Sequence, residues 1–163
     1  MDKERGAMSV NQSVKPITTE EKDQLVIGGC NLVELAKKYG TPLYVIDEAT
    51  LRAIAQEYKA AFKEYSNIKM MYASKALCTS AITRILDEEG FGFDTVSAGE
   101  IYTVYKSGVD MSKVLFNGNN KSIRELELAL DYKVGRFSVD NFYEAQILNQ
   151  IAEQKGVIAD ILL

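Results

Sequence analysis

From Thr50 to Tyr65 the apolar positions Leu51, Ile54, Ala55, Tyr58, Phe62 and Tyr65 recur at spacings of three and four. That period predicts an amphipathic helix. Ahead of it, Leu32, Leu35 and Ala36 share one side of a short helix that Gly40 would stop. Thr41-Pro42 then opens the apolar run Leu43–Ile46, which reads as a strand. Beyond residue 65 the pattern becomes regular. Strand-like segments begin near Ile68, Phe91, Val114, Arg136 and Val157, so successive starts lie 23, 23, 22 and 21 residues apart. Each interval holds one strand and one helix, as consecutive parallel βα units require. Ser97…Glu100, Ser122…Glu125 and Asn141…Glu144 each set a capping oxygen three residues before a carboxylate, which marks helix starts. Gly90, Gly108 and Gly135 punctuate the helix ends or the turns after them. The chain is α/β.

Five such strands are counted from Ile68, whereas a closed (β/α)8 barrel needs eight. Two architectures fit this count: a complete open five-stranded sheet, or the first five units of a barrel. Natural domains seldom stop on an unpaired apolar strand such as Val157–Leu163, so the chain is expected to be the front part of a longer protein. Residues 1–27 read as a polar leader without regular structure, 28–49 as a lead-in helix and strand, and 50–163 as the repeating βα region.

Composition narrows the function classes. The 163 residues are 47% hydrophobic and 26% charged, as in an ordinary globular protein. The net charge of -4 gives no reason to expect nucleic acid or an anionic membrane as partner. No apolar run reaches the roughly 18 residues of a membrane span, and the first residues are too polar for a signal peptide. The default location is the cytoplasm. Cys30 and Cys78, the only cysteines, lack metal-ligand spacing, and there is no histidine for a Ser/His or Cys/His triad. Gly90-x-Gly92 is no dinucleotide fingerprint, because Thr95 holds the third glycine's place.

The segment Met70–Leu77, reading MMYASKAL, runs an apolar strand straight into Lys75. Parallel α/β folds gather reactive groups at that end of their strands. A lysine desolvated there can lose its proton near neutral pH and attack a carbonyl carbon to form an imine. A lysine that merely turns out into solvent satisfies the same spacing. Asp94, at the end of the next strand, is either a site carboxylate or one satisfied by turn amides. Ser97 and Glu100 need no more than a capping box to account for them. Asn119, Asn120 and Lys121 read as a polar clamp or as the turn leading to Ser122.

Tyr72-Ala73-Ser74-Lys75-Ala76 resembles the cofactor-lysine motif of the pyridoxal-phosphate-dependent decarboxylases acting on diaminopimelate, ornithine and arginine, an alanine-racemase-like fold type. The resemblance continues in order through Tyr39–Val45 (YGTPLYV), Gly90–Glu100 (GFGFDTVSAGE), Phe116–Ser122 (FNGNNKS) and Phe137–Asn141 (FSVDN). It spans about residues 28–163, and its wording is nearest to members acting on diaminopimelate. Two positions depart from the common pattern: Leu77 stands where an asparagine is usual, and Asn117 where a histidine is usual.

The resemblance implies the N-terminal part, about five of eight βα units, of a TIM-like barrel, with a C-terminal β domain not contained in these residues. It implies pyridoxal 5'-phosphate as cofactor, Lys75 as catalytic and cofactor-binding residue, and Asp94 and Ala73 beside the cofactor. It further implies decarboxylation of meso-diaminopimelate to L-lysine by a full-length homodimer, with an amino acid as the small-molecule substrate. The 163 residues alone are expected to be inactive, because the phosphate loop and the substrate-reading residues would follow Leu163. Alternatives are another decarboxylase of the fold type (for ornithine, arginine or carboxynorspermidine) and a non-catalytic, partner-binding relative, whose usual mark would be loss of the lysine.

Overall fold

The computed structural model describes residues 18–21 and 24–163. The chain divides into two compact units, one up to Tyr58 and one from Lys59 to Leu163. In the first, β1 (Thr18–Glu21), β2 (Gln24–Ile27) and β3 (Cys30–Asn31) form an antiparallel sheet in that order. The stretch read as an unstructured leader therefore carries strands at residues 18–21 and 24–27. The remainder of that leader, residues 1–17, 22 and 23, lies outside the described residues. Asn31 caps α1 (Leu32–Tyr39), its side-chain oxygen accepting from the amides of Val33 and Glu34, and Gly40 ends the helix at φ 84°. The expected strand Leu43–Ile46 is extended but unpaired, with Tyr44 98% exposed. Apolar content marked the segment, yet a strand exists only where a neighbour completes its ladder, and none does among the described residues.

The helix expected from Thr50 is α2 (Glu48–Ala61). It starts two residues early because Asp47 accepts bonds from the Thr50 hydroxyl (2.6 Å) and the Ala49 amide (3.0 Å). These bonds, that from Thr50 foremost, hold the Asp47 carboxyl below its usual pKa.

The second unit is the repeating one. Its strands are β4 (Met71–Ala73), β5 (Gly92–Thr95), β6 (Val114–Phe116), β7 (Arg136–Ser138) and β8 (Ile161–Leu162). They form one parallel sheet in sequential order, joined by α3 (Ser80–Glu88), α4 (Ala98–Lys106), α5 (Ile123–Asp131) and α6 (Phe142–Lys155). The starts of β6 and β7 fall on the expected residues. β4 and β8 begin at Met71 and Ile161 rather than Ile68 and Val157, since the apolar run is longer than the paired ladder. The three expected N-caps form: Ser97, Ser122 and Asn141 accept the amides of Glu100, Glu125 and Glu144.

Register decides which side chains share a face. Tyr72 pairs with Phe93, Phe93 with Val114, Thr95 with Phe116, and Phe116 with Phe137. From Phe93 to Phe137 these residues are no more than 1% exposed. They form the core with Ile101, Val104, Leu126, Ala129 and Leu148 from α4–α6. Each buried Phe is worth roughly 1.5–3 kcal/mol relative to exposure. Ala73, Asp94, Leu115 and Arg136 occupy the opposite face in register, and none of them is buried. The helices cover one side of the sheet, and the polar chemistry sits on the other.

Candidate active site

Lys75 lies in the single 3-10 turn Ser74–Ala76 that follows β4 directly. The turn forms because the chain must leave the sheet at the rim, and the Tyr72 hydroxyl secures its exit by donating to the Leu77 carbonyl at 3.1 Å. Lys75 is exposed and lines a cleft of about 390 Å3 with Val96, Asn117, Gly118, Asn119, Ser138, Val139 and Asp140. Every wall of this cleft comes from the segments just beyond the C-terminal ends of β4–β7, where parallel α/β folds assemble chemistry.

Asp94 is one strand across from Lys75's own strand, opposite Ala73 in the β4–β5 register. Its Oδ1 atom is buried without a hydrogen-bond partner among the described residues, and so is Oγ of Ser74, which is 1% exposed. Buried polar atoms are normally satisfied, so the unmet one on Ser74 of the lysine turn and the one on Asp94 of the neighbouring strand are each open to a further polar group. Ala73 adds no polar atom of its own and keeps the space beside the Asp94 carboxylate small-walled. Neither Ala73 nor Asp94 lines the 390 Å3 cleft itself.

The other candidates fall into structural roles. Oε2 of Glu100 accepts the Val96 amide at 3.0 Å, one residue ahead of its own cap. The Ser122–Glu125 box closes fully, and the second carboxylate oxygen of Glu125 reaches the Ala98 amide at 3.2 Å, tying α5 to the start of α4. Desolvation raises the Glu125 pKa, but the Ser122 amide and hydroxyl, the Ala98 amide and the Lys121 charge outweigh it and hold the pKa below 4.5. Asn119 lines the cleft, whereas Asn120 does not.

Lys121 is the surprise of the loop. Its side chain is 2% exposed, and Nζ donates to the Gly118 carbonyl (2.6 Å), the Ser138 carbonyl (2.6 Å) and Oε1 of Glu144 (2.7 Å). With three partners on three donors it has none left for a ligand. Sequence reading missed Glu144 as its counter-ion. The only signal was a glutamate at a cap position whose helix is otherwise capped by Asn141.

Two departures from the common family pattern are also accommodated. Leu77 is 40% exposed and is used through its backbone carbonyl, while Asn117 folds its side-chain oxygen onto the Gly118 amide at 2.8 Å.

Residues 51–163 match the family model of the pyridoxal-dependent decarboxylases, pyridoxal binding domain. The chain belongs to this family. The chain is 46% identical over 144 residues to the diaminopimelate decarboxylase of Bacillus methanolicus, covering 88% of this chain and 33% of that relative. It is 46% identical over 139 residues to the diaminopimelate decarboxylase of Methanothermobacter thermautotrophicus, with 85% and 32% covered. The crystal structure of diaminopimelate decarboxylase from M. jannaschii superposes with a TM-score of 0.83 at 34% identity, over 88% of this chain and 34% of that one. The same sheet is therefore the N-terminal part of the pyridoxal-binding barrel. The chain spans about a third of the length of the curated relatives it matches.

The residues present fit the cofactor that the family name implies. A lysine at the strand end suits an aldehyde, and the unmet Asp94 oxygen suits a positively charged or N–H-bearing group. Among the described residues, no helix is long and apolar enough to cross a membrane.

Proposed function

We propose that Lys75 is the amine that holds pyridoxal phosphate, and that the protein built on this domain decarboxylates meso-diaminopimelate to L-lysine. The observation that carries the reading is Lys75 opening onto a cleft at its strand end, with a buried Asp94 oxygen on the next strand that has no hydrogen-bond partner among the described residues. The names of the relatives support the substrate, and one solved neighbour of TM-score 0.82 is a diaminopimelate decarboxylase in co-complex with L-lysine. A neighbour titled lysine/ornithine decarboxylase is more distant, with a TM-score of 0.67 at 27% identity.

When bound, pyridoxal phosphate supplies the electron sink that lets an α-amino acid lose CO2. The chain's own residues then divide the work. Lys75 would hold the cofactor through Nζ, and the same amine at the rim would be able to move a proton at the substrate's α-carbon. The Asp94 carboxylate accepts a hydrogen bond and favours positive charge beside it. Ala73 leaves the room that this contact needs. Asn117, Asn119 and Ser138 offer neutral donors and acceptors along the cleft wall. Assembly as a homodimer and a cytoplasmic location follow from the same family reading.

The test is borohydride fixation. Full-length protein incubated with pyridoxal phosphate and reduced should carry one adduct, mapped by peptide mass to Lys75, and a Lys75→Ala variant should lose both the adduct and the visible absorbance. An adduct retained by that variant would sink the assignment. Release of CO2 from diaminopimelate, but not from ornithine or arginine, tests the substrate.

A further inference from the structure

Two loops, residues 117–119 and 138–140, line the cleft together with Lys75 and Val96. The sheet reaches only the start of each: the Asn117 amide donates to the Thr95 carbonyl and the Val139 amide to the Leu162 carbonyl, both at 2.8 Å. What joins them is Lys121. Its ammonium takes the Gly118 carbonyl from one loop and the Ser138 carbonyl from the other, and Glu144 of α6 neutralises the charge. The Phe116 ring lies 5.5 Å from Nζ and closes a further side. Side-chain exposures of 2% and 6% make this an enclosed ion pair. A charge is rarely buried so completely to stabilise a fold, because an apolar pair of the same volume does that equally well or better. An ammonium does something no apolar group can: it fixes two carbonyls and a carboxylate at one point.

We infer that Lys121 is a positioning residue for the cofactor site: without touching the ligand, it clamps the two loops that line the cleft with Lys75, with Glu144 as its neutralising partner. The inference rests on the reading of Lys75 as the cofactor amine. It separates clamping from mere stability, because the two respond differently to substitution.

Lys121→Met alone strands the Glu144 carboxylate and is expected to lower stability. The double variant Lys121→Met/Glu144→Leu removes both charges and is expected to melt close to the unsubstituted protein, yet it still lacks the clamp. In the full-length protein it should bind pyridoxal phosphate about tenfold more weakly, the lower end of what loss of an outer partner of a bound group produces. Binding is read from the visible absorbance and the borohydride-fixed fraction at Lys75. Without any cofactor, the amides of Gly118, Asn119 and Asp140 should exchange hydrogen faster, while those of the β5 core do not change. A double variant with unchanged exchange in both loops overturns the clamp whatever happens at Lys75. Faster exchange with unchanged cofactor affinity overturns its role in positioning. Failure of the unsubstituted protein to be labelled at Lys75 overturns the site reading and the positioning role together, and leaves the clamp to be judged by exchange alone.

Discussion

The two ends of the parallel sheet are built by different physics. At the N-terminal ends of the strands neighbouring segments meet closely at two glycines. A Cβ at Gly92 would stand 2.5 Å from the Lys113 carbonyl oxygen and 2.6 Å from the Met71 sulfur, and one at Gly135 would overlap the backbone of Ser112. At the C-terminal ends the neighbours are linked by long polar side chains instead. Glu125 reaches from α5 to α4, and Lys121 reaches across to β7 and α6. One end is tight at its glycines, with the Lys113–Asp87 ion pair beside them. The other is spaced apart, polar and left with two unmet oxygens, at Ser74 and Asp94. Close packing suits the end that carries stability, whereas polar links hold the loops that line the cleft.

Breaking a link at the polar end should do the most damage. Lys121→Met leaves the Glu144 carboxylate enclosed without a counter-charge, a loss of about 3–5 kcal/mol. Thermal or urea unfolding followed by circular dichroism measures it. A loss under 1 kcal/mol would mean that water reaches Glu144 freely and that the polar end is looser than its 6% side-chain exposure implies.

The tight end comes next. At Gly135 the residues to be displaced are backbone, so Gly135→Ala cannot be absorbed by rotating a side chain and should cost about 2–3 kcal/mol. Gly92→Ala should cost less if the flexible Met71 side chain gives way, although the Lys113 carbonyl cannot. In both variants Lys75 should be labelled to the same extent as in the unsubstituted protein below the melting transition, since the damage is at the far end of the strands. Loss of labelling at full folding would break the division between the ends.

Much of this was legible from local pattern. The βα rhythm, the helix caps and the strand-end position of Lys75 all depend on residues close in sequence, and periodicity reports them directly. What escaped depends on partners far apart. Leu43–Ile46 has strand composition but no ladder among the described residues. Glu144 lies 23 residues from Lys121, and its role as counter-ion exists only once α6 is packed against the loop. Gly135 read as turn punctuation. The left-handed position there is Lys133, at φ 58°, and Gly135 is glycine for want of space.

Acid should weaken the Glu125 link at the polar end. Glu125 has its pKa held below 4.5 in the folded state, so its contribution is complete above that value and disappears as pH falls through the lower, folded value. Glu125→Gln should remove this acid-side dependence and cost about 0.5–1 kcal/mol at neutral pH, the modest figure reflecting a partly exposed carboxylate screened by solvent. Melting temperatures from pH 3 to 7 for both proteins give the comparison. Parallel curves would show that the Ala98 link contributes nothing.

The smallest effect is expected at Glu100, and it separates a cap from a catalytic group. Its carboxylate accepts one bond, from the Val96 amide, and its amide is taken by Ser97. Glutamine retains an acceptor oxygen at the same reach, so Glu100→Gln gives up only the charge assistance of a single hydrogen bond, about 0.5 kcal/mol. Val96 lines the cleft together with Lys75, so a shift of its amide would be felt there. The retained acceptor prevents that shift, and full-length protein should keep most of its decarboxylation rate and its affinity for pyridoxal phosphate. Glu100→Ala, which removes the acceptor, should loosen both slightly through Val96. A hundredfold fall in kcat for Glu100→Gln, with the melting temperature unchanged, would instead make the carboxylate itself part of the chemistry and move Glu100 from the supports of the polar end into its site.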